Sequence, residues 1–278
     1  MQLKRLLQSL GLLFLLLGAV LIYTKGLPWA TGKITLIYVA DADEVNAAPA
    51  QEDRLSTLRG GRGRHRGVLT IAGTSFPDPS ERTVANGELA GTRSVDIINR
   101  LGIDVAVPGG HAFDRPELSL RTLVHRATGF VISDNVVDAS GKPVADLSPG
   151  IVIPVWTWAG LVDVGFVGLT QENAPSWATR TDPIEAAKKE VPGTRRWARA
   201  VVVVTDLSIA DGRALFAAVP DIDLLIGGRD RLMWTISPGV MTDQPVVGES
   251  KSSATAVMTI AIDRAKARPV TTVRFEGT

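Results

Sequence analysis

The chain has 278 residues, 30 Lys+Arg against 29 Asp+Glu, no Cys, and 45% hydrophobic residues. Near-neutral charge speaks against a nucleic-acid partner, and the lack of Cys excludes disulfides, thiolate metal sites and a cysteine nucleophile. The apolar content suffices for the core of one large domain or two small ones.

Leu6 to Thr24 is a run of 19 residues without a charge, rich in Leu. At ~1.5 Å per residue it is just long enough to cross about 30 Å of hydrocarbon. Lys4 and Arg5 precede it, which favours a cytoplasmic N-terminus, and Tyr23 and Trp29 sit where interfacial aromatics belong. No clean small-x-small cleavage site follows, so the segment reads as an uncleaved single-pass anchor rather than a signal peptide. The expected organisation is therefore residues 1–31 as cytoplasmic tail, transmembrane anchor and linker, and residues 32–278 as a globular domain on the periplasmic or extracellular side of the cytoplasmic membrane.

Lys33 to Ala40 is a β-prone run that opens into Asp41-Ala42-Asp43-Glu44. Two carboxylates two residues apart at a strand end suit a divalent cation, and equally a solvated turn. Arg54 to Gly67 is the most basic stretch, with Arg59, Arg62, Arg64 and Arg66 among interleaved glycines. Its glycines predict a mobile loop, and its charge suits lipid headgroups or an acidic protein surface. It has no interleaved aromatics, which speaks against single-stranded nucleic acid.

Val68 to Ala72 reads as a second strand, followed by Gly73-Thr74-Ser75. Gly91 to Leu101 has helical spacing and a C-cap at Gly102. Val105 to Val107 is a strand, and Pro116 to Arg126 a helix. The loop between them holds His111 with Asp114 three residues on, a spacing at which a carboxylate can orient an imidazole. Gly129 to Ser133 is a further strand, and Ile151 to Trp158 with Leu161 to Leu169 form a hairpin. Trp156 and Trp158 share a face there, as core or as a docking patch. Asp182 caps a helix that runs to Val191 with Pro183 at its first position. Ala198 to Val204, a helix over Ile209 to Val219, and Ile222 to Ile226 follow, the last leading into Gly227-Gly228-Arg229-Asp230-Arg231. Leu232-Met233-Trp234 is bulky for a loop and suggests a contact surface. Three antiparallel strands close the chain, and no internal repeat is evident. Strand–loop–helix units before a β-rich end imply a layered α/β sandwich.

The order of these loops resembles the catalytic domain of the 5′-nucleotidase-like metallophosphoesterases, in the calcineurin-like phosphoesterase superfamily. The resemblance runs from about Lys33 to the end and is carried best by VDVGFVGLTQENAPSW (162–177), TDPIEAAKKEVP (181–192), FVISDNVVDASGKPV (130–144) and DIDLLIGG (221–228). It implies a four-layer α/β/β/α sandwich with a two-metal site on loops at strand ends. The ligand motifs are broken. The family's Asp-x-His is Asp41-Ala42-Asp43; the bridging Asp of Gly-Asp-Thr is Thr74; the Asn of Gly-Asn-His-Glu is Gly110, with His111 and Asp114 retained; the His of Ser-His is Asp206; and the two imidazoles of Gly-Gly-His-x-His are Arg229 and Arg231.

Arg is permanently cationic and has no lone pair for a metal, so neither a metal nor another cofactor is expected. If the loops converge, Asp41, Asp43 and Asp206 face Arg229 and Arg231 in a salt-bridge cluster where metals once sat. His111 and Asp114 resemble the family's leaving-group dyad and are read as a relic. The family's C-terminal substrate-binding domain has no counterpart before Thr278. The expectation is a non-catalytic accessory subunit of a membrane complex, energy-transducing by guess. It would contact other membrane subunits and lipid through its anchor, through Arg59, Arg62, Arg64 and Arg66, and through Trp234. Two alternatives stay open: a residual one-metal phosphoester hydrolase, and an anion-binding module built on Arg229 and Arg231.

Overall fold

A computed structural model describes residues 10–20, 31–40, 48–74, 92–109, 112–113, 116–170, 177–229, 232–238, 245–250, 255–263 and 269–276. Residues 10–20 form helix α1. Its Leu12, Leu13, Phe14, Leu15, Leu16 and Leu17 are all more than half exposed, so it is apolar all round. At ~1.5 Å per residue its eleven residues span roughly 16 Å. No helix among the described residues is long and apolar enough to cross a membrane. The rest of the expected anchor, at 6–9 and 21–24, lies outside them.

The remaining chain folds around two six-stranded sheets. The first has the order β14-β13-β1-β2-β3-β4. It is built from β1 (Thr31–Ala40), β2 (Val68–Thr74), β3 (Val105–Pro108), β4 (Phe130–Val131), β13 (Thr255–Asp263) and β14 (Val270–Glu276). The second has the order β12-β11-β10-β9-β7-β6. Its strands are β6 (Gly150–Thr157), β7 (Gly160–Leu169), β9 (Ala200–Thr205), β10 (Leu224–Arg229), β11 (Leu232–Pro238) and β12 (Pro245–Ser250). A short pair joins β5 (Val136–Val137) to β8 (Thr179–Arg180).

Alternation along each strand builds three separate cores, because successive side chains leave opposite faces. Ile34, Leu36 and Tyr38 of β1 meet Val202 and Val204 of β9 between the sheets. Ile37 and Val39 face the other way, onto Leu55 of α2 (Ala48–Arg59), Val95 and Ile98 of α3 (Thr92–Leu101) and Leu120 of α4 (Glu117–Arg126). Val201 and Val203 pack against Ala187 and Val191 of α5 (Pro183–Arg195) and Leu215 of α6 (Ile209–Ala218). Strands buried on both faces read as continuous apolar runs, which is why AVVVV at 200–204 carries no alternation. Helix, sheet, sheet, helix is the four-layer order expected.

Several boundaries move. The basic stretch is not one loop: α2 runs to Arg59, and only residues 60–67 are loop. Helix α5 continues through Pro192 to Arg195; Asp182 caps it as expected, accepting from the amides of Ile184 and Glu185. Leu232–Trp234 opens strand β11, and the three closing strands do not form one unit: β12 pairs with β11 in the second sheet, while β13 and β14 close the first.

Candidate functional site

The parallel strands send their following loops out of one rim. Ala40 pairs with Gly73, and Thr74 with Pro108, in the first sheet. In the second, Leu169 and Gly227 both pair with Thr205. The Thr170 hydroxyl donates to the Pro108 carbonyl at 3.2 Å, which joins the two carboxyl edges. Ligand sites in open α/β sheets form at such carboxyl edges. Thr74, Asp206 and Arg229 lie at this rim, at or just past the ends of β2, β9 and β10. Asp41, Asp43, Gly110, His111, Asp114 and Arg231 lie outside the described residues. The expected salt-bridge cluster of Asp41, Asp43 and Asp206 with Arg229 and Arg231 thus falls largely outside the described residues.

Local folding fixes what can be seen. Thr205 is buried, and its hydroxyl accepts from the Leu207 amide at 3.1 Å. Ser208 caps α6 by accepting from the Asp211 amide at 3.2 Å. Half-buried Asp206 sits between them. After β3, Ala112 and Phe113 are buried, and Phe113 meets Trp177 with ring centroids 6.5 Å apart. Among the described residues, no group of three His, Asp or Glu side chains is placed to hold a metal. Thr at 74 offers a neutral hydroxyl where a bridging carboxylate is needed, and Arg at 229 offers only N–H donors. The donors described at the rim, Thr74, Asp206 and Arg229, do not by themselves make up a centre of two dications.

Behind the rim runs a buried polar seam that the sequence did not reveal. Asn135 clamps Thr170, donating to its carbonyl at 2.7 Å and accepting from its amide at 2.8 Å. The hydroxyls of Ser133 and Thr170 lie 3.1 Å apart. Between Ser133 and Asn135, the Asp134 amide donates to the Gly168 carbonyl, and its buried Oδ2 has no hydrogen-bond partner. Burial pushes the Asp134 carboxyl up to about 7; nearby Glu190 adds to the rise and Lys189 opposes it. Tyr38, fully buried, places its hydroxyl where a Cβ on Gly73 would be, so the phenol reaches along the inter-sheet layer to the residue before Thr74.

The basic stretch lies on the opposite, amino edge. Asp104, 3% exposed, accepts from the Thr70 amide at 2.8 Å and from Arg64 Nε at 3.0 Å, and stands 3.2 Å from His65 Nε2. The loop is pinned here, contrary to the mobility its glycines suggested. Arg59, expected as a partner contact, turns inward: its guanidinium donates to the Thr70 hydroxyl and to the carbonyls of Leu101 and Gly102. Burial holds the Arg59 guanidinium below its ordinary value, with Asp104 acting the other way. Arg62 and Arg66 are exposed, as the expectation requires. Asp223 repeats the Asp104 device in the second sheet, accepting from the Val201 amide at 2.8 Å and pairing with Arg195. The echo was legible in Ile103-Asp104-Val105 and Ile222-Asp223-Leu224, although no repeat was read.

Trp234 is also not a partner contact. It is 1% exposed, and it fills the space left by two glycines: a Cβ on Gly212 of α6 or on Gly227 of β10 would collide with its ring. Gly227 is its partner across the β10–β11 ladder. By contrast Trp156 and Trp158 are not core; they are 36% and 74% exposed.

No family model matches the chain. It is 29% identical over 144 residues to the uncharacterized metallophosphoesterase YunD of Bacillus subtilis, a match covering 49% of this chain and 30% of that protein. The alignment thus spans under a third of that relative's length. In fold it is similar to the calcineurin-like phosphoesterase YfkN of Bacillus subtilis, with a TM-score of 0.67, 14% identity, and 89% of this chain and 91% of that one covered. The 5′-nucleotidase precursor of Thermus thermophilus gives the same TM-score of 0.67 at 18% identity, covering 88% of this chain and 54% of that one. The resemblance read from the loop order is therefore matched by a metallophosphoesterase in sequence and by phosphoesterases and 5′-nucleotidases in fold.

Proposed function

We propose that the chain is a membrane-anchored protein of metallophosphoesterase fold that performs no phosphoester chemistry and serves as an accessory subunit of a membrane protein complex. The observation that carries this reading is the donor set at the rim. Thr74 and Arg229 end β2 and β10 at the positions where the resembling family keeps a bridging carboxylate and an imidazole. With no acid to bridge two cations and a guanidinium in place of a ligand, water has no metal to activate it. Helix α1 supports the anchor: an apolar surface on every side suits lipid and not water. It would cross once, with Lys4 and Arg5 on the cytoplasmic side and the domain outside.

The likeness to YunD and YfkN favours a second reading, a phosphoester hydrolase that works with one metal held by Asp41, Asp43, His111 and Asp206. One preparation separates the two. The full chain is purified from its native membrane in mild detergent; co-purifying proteins are identified, metal content is measured, and hydrolysis of a chromogenic phosphodiester is assayed with added manganese. Stoichiometric membrane subunits, negligible metal and no turnover are expected. A solitary protein with near-stoichiometric metal and metal-dependent turnover overturns the accessory-subunit reading.

A further inference from the structure

Outside α1, the exposed large apolar side chains among the described residues are Leu118, Phe130, Trp156, Trp158 and Trp197. The aromatic four share one edge of the domain. Phe130 begins β4, and its amide binds the Asp104 carbonyl just ahead of β3. Trp156 lies at the last turn of β6, and Trp158 in the turn leading to the start of β7. Trp197 lies two residues ahead of Arg199, whose amide binds the Asp163 carbonyl near the start of β7. All of these are the amino ends of the parallel strands, opposite the rim described above. Trp158 and Trp197 are 74% and 77% exposed, values that a folded protein does not reach for tryptophan by packing it.

The chain enters the domain at this same edge. A Cβ on Gly32 would stand 2.9 Å from the Thr157 hydroxyl, between the two hairpin tryptophans. A Cβ on Gly67 would be 3.7 Å from the Lys33 carbonyl and 3.8 Å from that of Trp156. The Trp156 amide donates to the His65 carbonyl at 2.8 Å, so the loop bearing Arg62 and Arg66 runs beside the tryptophans. Ten residues separate α1 from β1. Fully extended they reach about 35 Å, and any less extended path brings the edge closer.

We propose that this edge is a lipid-facing seat: Phe130, Trp156, Trp158 and Trp197 rest in the headgroup region of the bilayer that takes α1, with Arg62 and Arg66 on phosphate groups. The inference rests on the anchor reading and adds an orientation to it. Trp favours the interface because its ring is apolar and its N–H is polar, and Arg lays its stem on apolar surface while its head pairs with phosphate. Phospholipid fits better than a protein groove for a positional reason. The tether ends on the patch itself, so the bilayer is held against it at high effective concentration. Of the acidic side chains at this edge, Asp104 is bound by Thr70, Arg64 and His65, and Asp223 by Val201 and Arg195; Asp163, Asp221 and Asp263 also lie here, interspersed with Lys33, Arg195, Arg196 and Arg199, so the edge is not a block of negative charge. The consequence is that the rim bearing Thr74, Asp206 and Arg229 faces away from the membrane.

The test uses the full chain in nanodiscs of phosphatidylcholine and phosphatidylglycerol, with and without bromine near the headgroup end of the acyl chains. Tryptophan quenching is compared for the unmodified chain and for Trp158→Phe, Trp197→Phe and the double variant. Both positions are exposed, so the variants fold. The expected result is bromolipid quenching in the unmodified chain, reduced in each single variant and further in the double. Quenching fully retained when Trp156→Phe is added to the double variant arises from Trp29 in the tether; it keeps the anchor and overturns the seat. Failure of the chain to co-elute with nanodiscs overturns the anchor reading and the seat with it. Shielding of Trp158 and Trp197 from acrylamide in native membranes but not in pure lipid gives the face to a protein and overturns the lipid proposal.

Discussion

Asp134 makes the fold sensitive to pH in a direction the structure fixes. Its carboxyl is largely buried, its Oδ2 has no hydrogen-bond partner, and its neighbour Glu190 carries the same charge. The ionised form is thus penalised in the native state, and the carboxyl rises from 3.8 to about 7. Below about pH 4 it is neutral in both states and costs nothing. As pH rises toward 7 the unfolded chain gives up the proton and the native chain holds it, so stability falls across that window and is flat above it. At about 1.36 kcal/mol per unit the full shift is a ceiling of roughly 4 kcal/mol. Asp134 keeps part of its surface in water, which screens the charge and brings the expected loss to about 2 kcal/mol. Asp134→Asn removes the titration at nearly constant shape. The variant should gain on the unmodified chain as pH rises from about 4 to about 8, by about 2 kcal/mol, measured as the difference in denaturant midpoints. Glu190→Gln should narrow that gap by lowering the Asp134 carboxyl. A difference independent of pH, or a variant that loses ground at the alkaline end, refutes the argument.

Three further outcomes follow from the cores and clamps. Trp234→Ala should cost about 3–5 kcal/mol and Gly227→Ala about 1–3 kcal/mol in chemical denaturation. The double variant should cost less than their sum, because the new methyl enters the space the indole leaves. Asp104→Ala and Asp223→Ala should each cost about 3 kcal/mol, since each leaves a buried strand amide without its acceptor and removes an ion pair with Arg64 or Arg195; hydrogen exchange should show the loss first at Thr70 in one and at Val201 in the other. Asp182→Ala should cost about 1 kcal/mol through the lost cap of α5, read as a lower melting temperature.

The sequence disclosed what depends on local pattern and concealed what depends on packing between distant segments. Val201 to Val204 had to be a strand buried on both faces, and Asp182-Pro183 had to start a helix, because both signals are contiguous. Trp234 was misread because its environment is supplied from elsewhere: the vacancies are at Gly212 and Gly227, and only the β10–β11 ladder and α6 bring them to one ring. Arg59 was misread for the same reason, since its acceptors at Leu101 and Gly102 are more than forty residues away. The glycines of residues 60–67 signalled freedom, while Asp104, a residue of another strand unit, removes it. Asp134 carries no signal of its own, since nothing in Ser133-Asp134-Asn135 says that the carboxyl is enclosed.

The separation of fold from chemistry has a structural basis here. Thr74, Asp206 and Arg229, the described positions that the family resemblance matches to metal ligands, lie at or just past the ends of β2, β9 and β10. They stand at or beyond strand ends, where the ladder is finished and side chains are chosen by what the loops meet. Side chains at strand ends can change with less cost to the fold than those that fill the layers. The buried devices are the opposite case. Asp104, Asp223, Asn135 and Trp234 hold strands in register or fill the space between layers, and a change at any of them is felt by the fold. On the proposed reading, a chain that need only present a stable surface on a membrane would keep the second set and be free to lose the first.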